Sequence, residues 1–148
     1  MSWADDYVAL AKFWAERKSK DPSTKAGAII VRPDLTQVTM GYNGFPRGIK
    51  DLRERYNNRE EKYKYVVHAE ANAVIMANEP LDGYYIFCYP YSPCIECAKL
   101  IIQKGIQWVV YQQNWDEKEG FASDTEQHRF VNNMLAEAGV NRMTVKQL

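Results

Sequence analysis

Only three cysteines and two histidines occur among the 148 residues of this chain. So few, and an odd number of Cys, argue against a disulfide-stapled scaffold and leave little material for metal or thiol chemistry. Net charge is also missing: 19 Lys and Arg balance 19 Asp and Glu. A protein that lives on a nucleic-acid backbone usually carries a basic excess, so no nucleic-acid partner is expected. A small anionic ligand stays open. No apolar run approaches the roughly 18 residues that a membrane span needs, so no membrane partner is expected either. The opening MSWADDYVAL is acidic and lacks the basic start and apolar run of a secretory leader. The expected setting is therefore reducing and cytoplasmic, where paired cysteines signal metal or redox chemistry more often than a structural bridge. Internal repeats and low-complexity stretches are absent as well.

What is present suits one globular domain over residues 1–148. The length supports one buried core and is short for two. Ten Tyr and four Trp make the apolar content strongly amphipathic, suited to pockets and interfaces. Residues 3–18, WADDYVALAKFWAERK, have near-helical apolar spacing with acids first and bases last. AGAIIV (26–31) reads as a buried strand and QVTMGY (37–42) as its hairpin partner. The stretch 47–64 carries seven basic and four acidic residues. It reads either as a solvated loop with a short helix or as a surface facing phosphate. Then helix (68–78), strand (84–89), helix (93–105, closed by Gly105), strand (107–112), helix (124–138, closed by Gly139) and a last strand MTVKQ alternate. That alternation implies crossover connections, an α/β class and a partly parallel sheet.

Two short motifs carry the chemistry, HAEANA at 68–73 and SPCIEC at 92–97. Cys94 and Cys97 are three apart at a helix start, so both sulfurs share one side of its first turn. The positive end of the helix dipole and the free N–H groups there lower thiolate pKa and favour ligation. His68 opens the preceding helix. If the crossovers set the two helices side by side, one nitrogen and two sulfurs converge. Three ligands with an open fourth position are the catalytic zinc pattern, whereas structural sites are closed by four. Cys88, inside a strand run, reads as a buried apolar residue. His128, alone on a helix, reads as a packing or solvent-facing residue. Glu70 faces the fourth position, placed to take a proton from a zinc-bound water and hand it on.

H-x-E followed by P-C-x-x-C resembles the signature of the zinc nucleobase deaminases. GYNGFPRG (41–48), KYVVHAEANAV (64–74) and SPCIECAKLIIQKGI (92–106) resemble the deoxycytidylate deaminases, including those of phages. This resemblance implies a three-layer α/β/α fold of the cytidine deaminase type on a five-stranded mixed sheet. It implies hydrolysis of dCMP to dUMP, which feeds thymidylate synthesis, with one Zn2+ per chain on His68, Cys94 and Cys97. Glu70 would protonate N3 and shuttle the water proton. The Ala69 N–H would meet the pyrimidine O2, and the Ser92 carbonyl would accept from the leaving amino group. Asn43 would hold the sugar and Tyr91 would wall the base. Trp115 stands where related deaminases often carry a Tyr near the substrate, and it lacks that hydroxyl. Gly44, Arg47 and Gly48 are the weaker choice for the phosphate or for an allosteric nucleotide. The family further implies a homohexamer activated by dCTP and inhibited by dTTP. Rival readings are a cytidine, guanine or tRNA-adenosine deaminase, and a zinc-stabilised module without catalysis.

Overall fold

A computed structural model describes residues 2–113 and 122–145. Helix α1 (Trp3–Lys18) begins with a capping box: Ser2 Oγ accepts from the Asp5 N–H, and Asp5 Oδ2 accepts from the Ser2 N–H. The hairpin β1 (Gly27–Val31) and β2 (Gln37–Tyr42) follows, paired antiparallel. The charged stretch forms two short helices, α2 (Arg53–Asn57) and α3 (Arg59–Tyr65). Next come α4 (Ala69–Met76), β3 (Tyr85–Tyr91), α5 (Ile95–Gln103), β4 (Trp108–Gln113), α6 (Ala122–Glu137) and β5 (Asn141–Thr144). The five strands lie in the order β2-β1-β3-β4-β5. β1 pairs antiparallel with β2 and β3, while β3–β4 and β4–β5 are parallel, so the sheet is mixed, as the resemblance implied.

Side chains alternate across the strands and separate two cores. Ile29, Val31, Phe87 and Val110 face Val8 and Ala11 of α1. Ala28, Ile30, Ile86, Cys88, Val109 and Tyr111 face the other way, onto Ala69 and Ala73 of α4, Ala98 and Ile101 of α5, and Val131 and Leu135 of α6. The result is the expected α/β/α sandwich, and Cys88 is the buried apolar residue its strand position suggested. The last strand begins two residues earlier than its apolar letters suggest, at Asn141, just after the turn at Ala138 and Gly139. It is a sheet edge with exposed side chains, so alternation does not mark it.

The charged stretch is held down by aromatics and by ion pairs, Lys20 with Asp51 at 3.0 Å and the more enclosed Lys62 with Asp21. Phe45 stacks on Tyr56 with centroids 4.1 Å apart and tilts against Tyr65 at 5.3 Å. Lys62 Nζ lies 2.9 Å from Asp21 Oδ2, with the two side chains only 12% and 2% exposed. Removing either partner of so enclosed a pair leaves a buried charge unpaired.

Close approach of α4 to β2 depends on Gly41. A Cβ there would lie 2.3 Å from the Ala69 carbonyl oxygen and 2.7 Å from the Ala73 nitrogen. Gly41→Ala must therefore push the start of α4 off the sheet. The expected cost is about 1–3 kcal/mol of stability, read by urea denaturation, with a parallel loss at the site this helix start carries. An unchanged denaturation midpoint would show that α4 does not rest on Gly41.

Candidate active site

The crossovers bring the starts of α4 and α5 together at the ends of the sheet strands. His68 is the N-cap of α4, and Cys94 is the N-cap of α5. His68 Nδ1 lies 3.3 Å from Cys94 Sγ and 3.5 Å from Cys97 Sγ. One ligand atom from each of the three falls within 4.8 Å of the others. Around a tetrahedral ion with bonds of about 2.0–2.3 Å, nitrogen and sulfur ligands sit about 3.5 Å apart, so both nitrogen–sulfur separations suit a zinc ion. No other cluster of three ligating side chains occurs among the described residues. Cys94 Sγ also accepts from the Cys97 N–H at 3.5 Å, which places sulfur charge at the positive end of α5.

Electrostatics follow from this crowding. The hydrogen bond from Cys97 and that with His68 pull the Cys94 thiol well below its ordinary value. Cys97, whose proton is shared with Cys94 in a buried place, is pushed up. The hydrogen bond to Cys94 raises His68. Burial raises Glu70, opposed by its own backbone N–H and by the charge of His68. Glu70 is 8% exposed and is not among the three ligand residues.

Beside this cluster is a cavity of about 450 Å³. His68, Glu70 and Cys94 line it, and so do the predicted substrate residues Asn43, Ala69, Tyr91 and Ser92. α4 has no side-chain cap, so its first N–H groups, that of Ala69 included, lack an intrahelical partner. Asn43 already spends one donor on the Thr24 carbonyl (2.8 Å) and one acceptor site on the Ala26 N–H (2.9 Å). One amide hydrogen and one lone pair remain for a ligand. Gly44, Arg47 and Gly48 do not line the cavity; Arg47 Nη2 lies 3.4 Å from Met76 Sδ. Trp115 falls outside the described residues.

Sequence reasoning missed several lining residues. DPST read only as a turn, yet Asp21, Ser23 and Thr24 all contribute. Arg59 and Lys62 were two cations in a run of seven, with no local signal to single them out. His128 is a packing residue: it is 7% exposed, its Nδ1 lies 3.1 Å from Ser92 Oγ, and its Nε2 lies 2.9 Å from Asn132 Nδ2. A contact spanning 36 positions leaves no mark in the local text.

An α/β/α sandwich that joins an N,S,S donor set to a buried glutamate defines a zinc-site hydrolase scaffold. The family description "Cytidine and deoxycytidylate deaminase zinc-binding region" matches residues 1–113, and the chain belongs to that family. The matched zinc-binding region includes His68, Cys94 and Cys97, the three side chains that could hold the ion. Among its relatives, the "Probable deoxycytidylate deaminase" of Drosophila melanogaster is 42% identical over 118 residues, covering 72% of this chain and 58% of that protein. The "Uncharacterized deaminase in luxG 3'region" of Aliivibrio fischeri is 36% identical, covering 93% and 90% of the two chains. The dCMP deaminase of cyanophage S-TIM5, solved in complex with dCMP and dUMP, superposes with a TM-score of 0.71 at 27% identity over 97% and 95% of the chains. The chain spans 58% of the fly relative's length and 66% of that of the mouse "Deoxycytidylate deaminase".

Proposed function

We propose that residues 1–148 form one cytoplasmic deaminase domain that hydrolyses dCMP to dUMP and ammonia. The observation that carries this reading is Glu70, a buried carboxyl lining the cavity beside a three-ligand metal group to which it does not belong. A non-catalytic zinc module has no use for that group. When bound, zinc supplies a water activated at neutral pH, the nucleophile for C4 of the cytosine ring. Glu70 takes the first proton that water gives up and delivers it to N3, then takes the second from the new C4 hydroxyl and relays it to the 4-amino group, which departs as ammonia. Its raised pKa suits this work, because a carboxyl that is easily reprotonated can donate as well as accept.

The remaining lining groups orient the ring. The unpaired Ala69 N–H meets the pyrimidine O2, the Ser92 carbonyl accepts from the amino group, Tyr91 walls the base, and the unspent atoms of Asn43 hold the sugar. We assign Trp115 to the base pocket from its position in the family pattern. The cyanophage enzyme's dCMP and dUMP complex and the name of the mouse relative support the choice of nucleotide. Gly44, Arg47 and Gly48, outside the cavity lining, are assigned to an effector nucleotide, with dCTP activating and dTTP inhibiting. Exposed Trp3, Leu10 and Phe13 on α1 and Ile75 and Met76 on α4 support self-association, for which we propose a homohexamer.

One assay tests the chemistry. Zinc-loaded protein is incubated separately with dCMP, deoxycytidine, CMP and guanine while ammonia is followed. dCMP is expected to turn over fastest, with dUMP as product. Release from guanine alone, or from none of the four, would overturn the reading.

A further inference from the structure

The cavity of about 450 Å³ is lined by more than the base-facing and metal-group residues. Its lining extends from Glu70 and Ser92 to Ser23, Asn57, Arg59 and Tyr63, contributed by the turn before β1 and by the α2–α3 stretch. Charge along that extension is unevenly committed. Asp21 Oδ1 accepts from the backbone N–H groups of Ser23 (2.8 Å) and Thr24 (3.2 Å), while its Oδ2 holds Lys62 at 2.9 Å. Lys62 and Asp21 are thus a closed, neutral, buried pair that braces the turn against α3. Arg59 differs. It is exposed, lines the same cavity, and has no ion pair, ring contact or hydrogen bond among the described residues. Elsewhere in the stretch, Arg55 lies over the Tyr65 ring at 4.8 Å and 3.8 Å from Glu61, and Lys64 is 3.8 Å from Glu60.

We infer that Arg59 forms the subsite for the 5′-phosphate and makes the protein select a nucleoside monophosphate over the nucleoside. This rests on the reading of the cavity as a cytosine nucleotide site. A guanidinium presents five donors in a planar fork that matches two phosphate oxygens, and its charge does not titrate. Arg59 stands with that fork uncommitted at the one cavity that holds the reacting end. Ser23, which lines the same cavity, offers a short hydroxyl donor for a further phosphate oxygen. Arg47, the choice from sequence, is a cation outside the cavity.

The test compares the zinc-loaded wild type with Arg59→Gln and Arg59→Lys. For wild type, kcat/KM for dCMP divided by that for deoxycytidine gives the preference for the phosphate. Charge-assisted hydrogen bonds of this kind are worth about 10- to 150-fold, so Arg59→Gln should lower that ratio by at least about ten-fold, carried mainly by KM. Arg59→Lys should recover part of it, since it keeps the charge and loses the fork. Calorimetric binding of dUMP and of deoxyuridine gives the same comparison without turnover. There, Arg59→Gln should weaken dUMP and leave deoxyuridine alike in both proteins. If the wild type deaminates no cytosine compound, the function proposed above fails, and the calorimetric comparison still decides the subsite. A dCMP-to-deoxycytidine ratio or a dUMP affinity unchanged in Arg59→Gln overturns the inference. So does an equal loss on nucleotide and nucleoside, which would mark a structural role.

Discussion

Glu70→Gln is expected to hold its zinc and lose its turnover. Gln keeps the size and planarity of the side chain and keeps an acceptor oxygen, but it cannot carry a proton. General acid–base catalysis is worth about 10²–10⁴, so kcat for dCMP should fall by about 10³-fold or more. Metal content should stay at one zinc per chain, because Glu70 is outside the ligand group. Stability should hold or rise. The carboxyl lies 8% exposed in surroundings that disfavour its charged form, and a neutral amide removes that penalty. This combination separates catalysis from folding. Measuring zinc by elemental analysis, melting temperature and kcat on the same preparation tests it. A variant that turns over within ten-fold of wild type would remove Glu70 from the chemistry, whatever the metal does.

The candidate metal ligands and the candidate acid–base group could be picked out of the text because they sit at helix starts within two contiguous motifs. His68 and Glu70 are two positions apart, and Cys94 and Cys97 three, so local geometry alone orients each pair. The continuous apolar run of β1 and the charge polarity of α1 were legible for the same reason: each signal is complete within one element. The cavity's further wall was not legible, since it is assembled at long range. Lys62 becomes a brace only when Asp21, 41 positions away, meets it, and Tyr56 becomes buried only when Phe45 stacks on it. Arg59 and Arg47 are alike as letters, and only the fold tells which one borders the cavity. The edge strand β5 failed for a different reason: its exposed side chains have no buried face to alternate with.

The largest loss of stability is expected from Cys97→Ala, by way of the metal. Cys97 is 2% exposed, with its sulfur 3.5 Å from His68 Nδ1. Alanine removes one of three ligands while keeping the Cys97 backbone N–H that Cys94 accepts, so the start of α5 should survive. What is lost is the linkage between zinc and the folded state. Binding at 100 times Kd adds about 2.7 kcal/mol to stability, and each kcal/mol is about 2–4 °C of melting temperature for a chain of this size. A fall of about 5–11 °C is therefore expected for the variant, with zinc lost after gel filtration. Cys88→Ala separates this from ordinary core damage. Cys88 is also buried, but it packs between strand and helices and is not in the ligand group, so that variant should lose some stability and keep its metal. Stripping wild type with a chelator should reproduce the lower melting temperature of Cys97→Ala and leave that variant unmoved. Full zinc occupancy in Cys97→Ala would mean that the ion is held by other groups, and the ligand assignment would have to be rebuilt.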